Sequence, residues 1–313
     1  MPLLANIKNA LGQFVELHRE ELVEQMMQPY DTSAECRTIL SEAQAGNALG
    51  IPSSQLSEVI QGFQAQPTPK GTLEFTANRT IQRRHKVHLD LNPDALMGEW
   101  EGYMYDEKID RTQMPIVKYA LKKLLEKIDE DRELQMVYNG IYAAPTAGTA
   151  NAANQTVNGF GKVLADLITA GTIAPFALGP YTASATFEYI ESMFTAIPQL
   201  NRYKALNMYV SHDVLLDYQR DKRASNPNYI LQMSDLLKVD FSNIRMIPLP
   251  SMVGKKRIIV TVPNNLVRVI HKNRGADNIE VEKYSPYTVS MIADWHECFG
   301  IADPRYIWVN DQV

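Results

Sequence analysis

The feature that most constrains this fold is one long amphipathic pattern between Gln113 and Asn139. Apolar residues recur along it with the three-four spacing that stacks side chains on one helix face. They are Met114, Val117, Leu121, Leu124, Leu125 and Ile128. Thr112 can cap the start, and Asn139-Gly140 is typical of a helix end. A helix of this length spans roughly 40 Å, which is longer than a small domain needs. The sequence therefore predicts one long helix with its apolar face, including Leu121, Leu125 and Ile128, buried against a sheet.

The N-terminal part of the chain is acidic and is predicted to be helical. Residues 1–62 hold three basic and eight acidic residues, which accounts for the net charge of −5 of the whole chain. Apolar spacing predicts helices over 11–26 and 34–49, and a short third helix that begins at Pro52-Ser53. An acidic arm on a neutral body argues against tight, general nucleic-acid binding, which depends on clustered Lys and Arg.

Two β-strands are predicted between Thr72 and Met104, because apolar and polar residues alternate there. Basic residues lie between the two strands, and we interpret them as the tip of a long exposed hairpin. They are Arg79, Arg83, Arg84, His85 and Lys86. A long exposed hairpin with so little hydrophobic core of its own usually contacts a partner.

The second half of the chain reads as a compact α/β region. Helices are predicted over 161–170, 185–196 and 212–222, the last capped by Ser211. Strands are predicted over 206–210, 244–247, 257–262, 267–270, 281–294 and 306–309.

The sequence contains few residue patterns that indicate catalysis or ligand binding. It contains no glycine-rich phosphate loop, nucleophile elbow or paired-histidine metal helix. His85 and His88 point to opposite faces of a strand, so no metal is expected there. Cys36 and Cys298 match no metal or disulfide spacing and are expected to be free thiols. We therefore predict no catalytic residues, no cofactor and no metal, and a structural role rather than an enzyme.

The order of elements, together with several segments, resembles the major capsid protein of tailed phages, with the Hong Kong 97-type fold that encapsulin shells share. Met208–Ser211 with Tyr218–Arg220 resembles the first strand and helix of the family's axial domain. Ile247–Gly254 and Ile258–Leu266 resemble its strand, turn and strand, and Trp295–Asn310 resembles the closing strands.

The resemblance implies an α+β fold in five parts. These are an N-terminal helical arm (1–62), an extended β loop (63–112), a peripheral domain with the long helix as its spine (113–199), an axial domain (200–280) and closing strands of the peripheral domain (281–313). We call the long helix the spine helix.

The resemblance also implies a function and partners. Copies of the chain would form hexamers and pentamers that close into an icosahedral shell around double-stranded DNA. The chain would be located in the virion, after assembly in the host bacterial cytoplasm. Portal protein, and scaffolding or decoration proteins, are further expected partners; a membrane is not.

Charge predicts one set of contacts between subunits. In this family the extended loop lies over a neighbour's peripheral domain. We expect Arg79, Arg83, Arg84 and Lys86 to meet acidic residues of an adjacent subunit, since complementary charge sets register. The candidates are the acidic arm or a band on the spine helix formed by Glu126, Asp129, Glu130 and Glu133.

Two other functions stay open at this point. The same fold could build an encapsulin-type compartment that holds enzymes instead of a genome. The long helix could also be the core helix of a soluble α+β enzyme with an unrecognised site.

Overall fold

The computed structural model describes residues 31–42, 46–91, 116–225, 237–240, 242–272, 279–285 and 288–312. Helices and strands are both well represented in these ranges. The α-helices are α1 (Asp31–Ala34), α2 (Ile116–Asp131), α3 (Phe160–Thr169), α4 (Thr186–Ala196), α5 (Gln199–Arg202) and α6 (His212–Ser225). The strands are β1 (Arg37–Ser41), β2 (Ala48–Leu56), β3 (Leu73–Ile81), β4 (Arg83–Leu91), β5 (Asn207–Val210), β6 (Arg245–Pro248), β7 (Ile259–Thr261), β8 (Leu266–His271), β9 (Ile279–Ser285), β10 (Thr288–Ile301) and β11 (Ile307–Val309).

The larger sheet is organised around β10, its longest strand. Its order is β1-β8-β10-β4, and β9 also pairs with β10. Strand β10 pairs in antiparallel fashion with β4 along one edge. Along its other edge it pairs first with β9 and then with β8. Residues Ser290 to Ile301 are buried with the exception of Ile292, so this strand is covered on both faces.

The smaller sheet, in the order β11-β7-β5-β6, separates two hydrophobic cores. Alternate residues of its strands face opposite ways, as the pleat requires. Tyr209 and Ile259 join the core shared with the spine helix and the larger sheet, whereas Met208 and Val260 join the core under helices α4 and α6. Burial on both faces explains why these strands read as unbroken apolar runs in the sequence.

The sheets do not divide at the predicted boundary of residue 280. Strand β8 lies within the predicted axial range but pairs with β10 and β1, and β11 lies beyond that range but pairs with β7. The domain boundaries stay a prediction.

The long helix is present as α2, and it continues as a π-helix from Arg132 to Val137. Its predicted start at 113–115 lies outside the described residues. Ile128 is 6% exposed, as expected for the core-facing side, whereas Leu125 is only half-buried. The side chain of Leu121 is not among those described. The π segment buries the neighbouring residues Arg132 and Glu133 as well as Met136 and Val137.

Glycines allow the backbone at the end of this helix to come into direct contact with the backbone at the start of α3. A Cβ on Gly159 would stand 2.5 Å from the carbonyl oxygen of Met136, and one on Gly140 would stand 2.5 Å from that of Val157. The amide of Gly159 donates to the carbonyl of Gly140 over 2.9 Å, and that of Gly161 donates to the carbonyl of Tyr138 over 3.1 Å. Larger residues would separate the two helices.

The helices predicted for 34–49 and from Pro52 onward are wrong, because these residues form β1 and β2. Strand β1 pairs in parallel with β8, and β2 pairs with β3 over its whole length. Partners this distant in sequence override local helical spacing. The predicted helix over 11–26 lies outside the described residues.

The predicted hairpin between β3 and β4 is also wrong. Strand β3 pairs with β2 in a separate two-stranded sheet, whereas β4 pairs with β10 in the larger sheet. The extended element is therefore the antiparallel ribbon of β2 and β3, which we call the ribbon, and its turn lies between Leu56 and Leu73. The predicted basic tip lies at the base of this ribbon.

Most of the remaining sequence predictions are confirmed to within a few residues. Helices α3, α4 and α6 and strands β5 to β8 and β11 form where expected. The Ser211 hydroxyl accepts a hydrogen bond from the amide of Val214, so it caps α6 as predicted. The strand predicted over 281–294 is in fact two paired strands, β9 and β10. In the part of the chain that the structure describes, no helix is long and apolar enough to span a membrane.

Candidate assembly interface

The base of the ribbon is fixed to the larger sheet. Ile51 is 3% exposed and lies close to Gly300, where a Cβ would meet its side chain at 2.7 Å. The Thr80 hydroxyl donates to the carbonyl of Phe299 over 2.8 Å, and the Asn78 amide donates to the carbonyls of Ile301 and Ala302. The lower half of the ribbon is therefore part of the body of the protein.

The distal half of the ribbon projects from that body. Residues 54–74 are all exposed. The side chains of residues 75–77, which follow on β3, are not described. Large apolar side chains are exposed there, and Phe63 is 101% exposed. The others are Leu56, Val59, Ile60 and Leu73. A cluster of exposed apolar side chains on an element without its own core marks a contact surface.

Polar contacts keep this tip in shape without covering its apolar side chains. The Ser57 amide donates to the Thr72 carbonyl over 3.1 Å, and the Lys70 amine contacts the Glu58 carboxylate at 2.8 Å. The Gln61 amide donates to the carbonyl of Thr68 over 2.7 Å. The apolar side chains are thus presented on a hydrogen-bonded turn.

The four predicted basic contact residues have different environments. Arg79 on β3 and Lys86 on β4 are exposed. The guanidinium of Arg83 lies 3.6 Å from the centre of the Tyr142 ring, and Arg84 forms an ion pair with Asp294 on β10. Two of the four cations therefore already have partners within the chain.

Beside β4 lies a cleft of about 730 Å³, which we call the basic cleft. One wall carries Arg84, Lys86 and His88, and the other is the loop that runs from Tyr142 to Thr156. The loop is closed by its own backbone: the Ile141 amide donates to the Asn154 carbonyl over 2.7 Å, and the Ala143 amide donates to the Gln155 carbonyl over 2.9 Å. No carboxylate is among the described residues that line this cleft.

The acidic residues exposed on the spine helix are largely neutralised by Lys and Arg of the same helix. Glu126 lies 3.1 Å from Lys123, and Glu130 lies 3.1 Å from Lys127. Asp129 contacts Arg132 at 3.6 Å. These three acidic residues are at the surface, but each has a cation one turn away.

Glu133 does not belong to that surface band, because it is only 8% exposed. Its carboxylate accepts hydrogen bonds from the amides of Ser251 (2.9 Å) and Thr32 (3.2 Å), and from the hydroxyl of Thr32. It therefore ties the spine helix to the N-terminal segment and to the turn after β6. Its predicted role in a contact with a neighbour is not supported by this placement.

A second buried carboxylate, Glu297 on β10, connects the spine helix with the larger sheet. It lies 2.5 Å from Nε of Arg268 on β8 and 3.5 Å from Nε of Arg132, and all three side chains are 1% exposed or less. The indole of Trp295 donates to the same carboxylate over 3.2 Å, and the Arg132 guanidinium lies 4.7 Å from the Trp295 ring. Burial disfavours the charged form of Glu297, but the two guanidiniums outweigh it and lower its pKa to about 2.

His85 and the two cysteines are buried in this arrangement. Burial lowers the pKa of His85 to about 4, and the His85 ring lies beside Trp295 at 5.5 Å between ring centres. Burial also raises the pKa of the Cys36 and Cys298 thiols to about 12, so both are unreactive at neutral pH. His88 is exposed and lies 3.5 Å from Asp90. Among the described residues, no group of three His, Cys, Asp or Glu side chains is arranged to hold a metal ion.

Comparison with known proteins identifies the fold. No protein-family model and no curated protein sequence matches the chain. Solved structures do match it. A chain of the satellite phage P4 procapsid, solved with its size determination (Sid) protein, is 12% identical, and the match covers 93% of this chain and 89% of that one with a TM-score of 0.56.

Two further structures agree with the first. The capsid of Myoviridae phage XM1 is 11% identical over 90% of this chain and 91% of that one, with a TM-score of 0.51. The capsid of the empty GTA particle is 10% identical over 90% of this chain and 89% of that one, also with a TM-score of 0.51. The chain therefore has the fold of phage capsid proteins, and the prediction of an α+β, Hong Kong 97-like fold is confirmed.

Proposed function

We propose that this chain is the major capsid protein of a tailed phage. Its copies form hexamers and pentamers that close into an icosahedral shell around double-stranded DNA, and the chain is thus located in the virion. Portal protein, and scaffolding or decoration proteins, are its further partners, and assembly takes place in the host cytoplasm. The fold supports this proposal, and so does the shape of the ribbon.

The observation that carries the proposal is the exposed apolar tip of the ribbon. A monomer gains nothing from holding Phe63 and Ile60 in water at 101% and 82% exposure. Covering them with another copy recovers that burial. In a closed shell every copy repeats the contact, so modest interfaces add up to a stable assembly.

The exposed cations at the base of the ribbon support a second, electrostatic contact. Arg79 and Lys86 are the best placed to meet a neighbour, because Arg83 and Arg84 already contact Tyr142 and Asp294. Exposed ion pairs contribute only about 0–1 kcal/mol each. They can therefore select the register between subunits while apolar contacts supply most of the free energy.

Electron microscopy of the purified protein tests the proposal directly. We expect closed shells from the natural sequence, and unassembled but folded protein from the double variant Ile60→Ser and Phe63→Ser. Gln66→Ser on the same exposed turn is the matched control and should assemble normally. Circular dichroism of each variant verifies folding, since the tip contributes nothing to the buried core.

The contents of the particles decide between a virion shell and an encapsulin-type compartment. Packaged double-stranded DNA, or assembly onto a portal, supports the phage capsid. A folded protein that forms no closed particles, or particles that hold a protein cargo and no DNA in phage-infected cells, would refute it.

A further inference from the structure

The basic cleft has a regular line of cations along one wall. Arg84, Lys86 and His88 occupy alternate positions of β4, which pairs with β10 without a break in register. Alternate residues of a strand project from the same face at a spacing of about 6.7 Å. The cleft therefore presents three basic groups in a row, opposite a loop whose conformation is fixed by its own hydrogen bonds.

Part of this positive charge is compensated within the chain. Asp294 pairs with Arg84 and lies directly across from Lys86 in the register of the two strands, and Asp90 lies 3.5 Å from His88. One buried carboxylate thus faces two cations, and Lys86 stays exposed. The cleft retains a positive charge and has room for side chains that carry carboxylates.

The size of the cleft argues for a peptide rather than a DNA duplex. About 730 Å³ accommodates a few side chains between two walls. Duplex DNA instead needs a broad face of clustered Lys and Arg that follows the phosphates. The chemistry of this cleft suits an acidic segment of protein.

The spine helix is a poor source of that segment. Between residues 122 and 131, the three lysines Lys122, Lys123 and Lys127 lie among four carboxylates. Glu126, Glu130 and Asp131 each contact one of these lysines within 3.2 Å. Drawing them into the cleft would break contacts that already compensate their charge.

We propose that the basic cleft binds the acidic segment Glu16–Glu24 of this chain. This segment lies outside the described residues, so the pairing rests on its sequence. Its apolar spacing predicts a helix, in which Glu16, Glu20 and Glu24 fall on one face about 6 Å apart along the axis. That spacing is close to the one between alternate residues of β4, so a carboxylate of this face can lie beside the exposed Lys86 while its neighbours follow the line of the strand.

The described end of the N-terminal segment contacts the same part of the chain that leads into the wall of the cleft. Thr32 is tied to Glu133 at the end of the spine helix, and Tyr142, in the wall of the cleft, follows nine residues after Glu133. Glu24 lies seven residues before Asp31, a length that can span about 25 Å. Either the arm of the same copy or that of an adjacent one is the source of the segment, and the assignment does not depend on the proposed shell.

Zero-length carbodiimide cross-linking of the full-length protein tests the proposal, because it joins an amine only to a carboxylate in contact with it. We expect a cross-link from Lys86 to Glu16, Glu20, Glu21 or Glu24, identified by mass spectrometry. The contact between Lys123 and Glu126 provides an internal positive control. The cross-link should be lost in Lys86→Arg, and should weaken at about 1 M salt, where charges are screened over about 3 Å.

The outcomes separate this proposal from that of the capsid. A mixture of isotopically heavy and light copies shows whether the arm comes from the same or another copy, and either result supports the pairing. Cross-links from Lys86 only to Glu126, Asp129 or Glu130 would overturn it. So would the lack of any cross-link from Lys86 to the four glutamates of Glu16–Glu24 when the internal control forms, and protection of the Lys86 amine from acetylation by duplex DNA would then identify nucleic acid as the ligand instead. Particle formation is measured separately by electron microscopy, so shells without the cross-link refute the cleft assignment alone.

Discussion

Glu297 accepts a hydrogen bond of 2.5 Å from Nε of Arg268 inside the larger sheet, where the two side chains are 0% and 1% exposed. The same carboxylate lies 3.5 Å from Arg132 at the end of the spine helix. The carboxylate thus lies between two guanidiniums that approach it from different elements, and one of them, that of Arg132, also contacts Asp129 at 3.6 Å. The spine helix is held to the sheet by this cluster as well as by apolar packing.

Replacement of Glu297 by Gln should therefore destabilise the fold strongly. The change keeps the shape of the side chain but leaves two buried cations beside a neutral amide, and breaking a buried ion pair in this way costs about 3–5 kcal/mol. Urea unfolding of unassembled protein, followed by circular dichroism, measures the loss. Glu126→Gln, which removes an exposed charge, should change the free energy of unfolding by about 1 kcal/mol or less. Equal stability of the two variants would show that the cluster is not structural.

Stability should also fall as the pH falls from about 6.5 to 4, because of His85. Burial lowers its pKa from 6.5 to about 4, so in this range the unfolded chain binds a proton that the folded chain does not. This shift corresponds to about 3 kcal/mol that is present above pH 6.5 and is lost by about pH 4. Below that, Glu297 contributes in the same direction, since its stabilisation is present above pH 4.5 and is lost towards pH 2.

The free energy of unfolding, measured between pH 4 and 7, tests the role of His85. His85→Gln removes the titrating group and should flatten the dependence on pH. A variant as sensitive to pH as the natural sequence would assign the effect to other groups.

Glu133→Ala should loosen the N-terminal segment from the spine helix. The substitution removes the acceptor of the Thr32 and Ser251 amides, and each buried donor left unsatisfied costs about 1–3 kcal/mol. Hydrogen exchange should become faster at these two amides before it changes elsewhere. Glu130→Ala on the exposed face is the control and should leave both amides protected. Unchanged exchange in Glu133→Ala would mean that other contacts hold the segment.

The apolar face of the spine helix can be tested with two neighbouring substitutions. Ile128 is 6% exposed, so Ile128→Ala should cost about 2–5 kcal/mol through lost burial and the cavity left behind. Leu125 is half-buried and should cost less when replaced by Ala. Thermal unfolding of both variants gives the order directly, and a larger loss for Leu125→Ala would place the core-facing side of the helix elsewhere.

Sequence patterns predicted the elements whose residues are buried in a regular way. The spine helix and strands such as β5 and β8 were found because their apolar periodicity is set by the core. Strand β3 of the ribbon was predicted, but β2 was missed because most of its residues are exposed and no regular apolar alternation marks it as a strand. The structure of the ribbon depends on the pairing of β2 with β3, whose residues lie up to 33 positions apart, as for Ala48 and Ile81.

The buried charges show a second limit of sequence patterns. Arg132 and Glu133 lie within a charged run, and Glu133 was interpreted as part of a band that contacts a neighbour. Their partners, Glu297 for one and Thr32 and Ser251 for the other, are more than 100 positions away in the sequence. Burial of a charge depends on those distant partners, and local spacing carries no information about them.

The close approach between the spine helix and α3 gives the last prediction. Gly159 has φ −77°, a conformation open to any residue, so Gly159→Ala adds no backbone strain. The added Cβ would nevertheless stand 2.5 Å from the Met136 carbonyl oxygen and 2.7 Å from that of Val137. Because both neighbours are backbone atoms of one helix, the two helices must move apart, at a cost typical of overpacking, about 1–3 kcal/mol or more.

Gly62→Ala is the matched control for this substitution, since a Cβ at that position meets nothing within 4 Å. We expect its unfolding midpoint to equal that of the natural sequence or to rise slightly, because alanine restricts the unfolded chain. Gly159→Ala should unfold at clearly lower urea concentration. If the two variants unfold together, the helix end and α3 can separate without loss, and the glycines at this junction are not what sets the position of the spine helix.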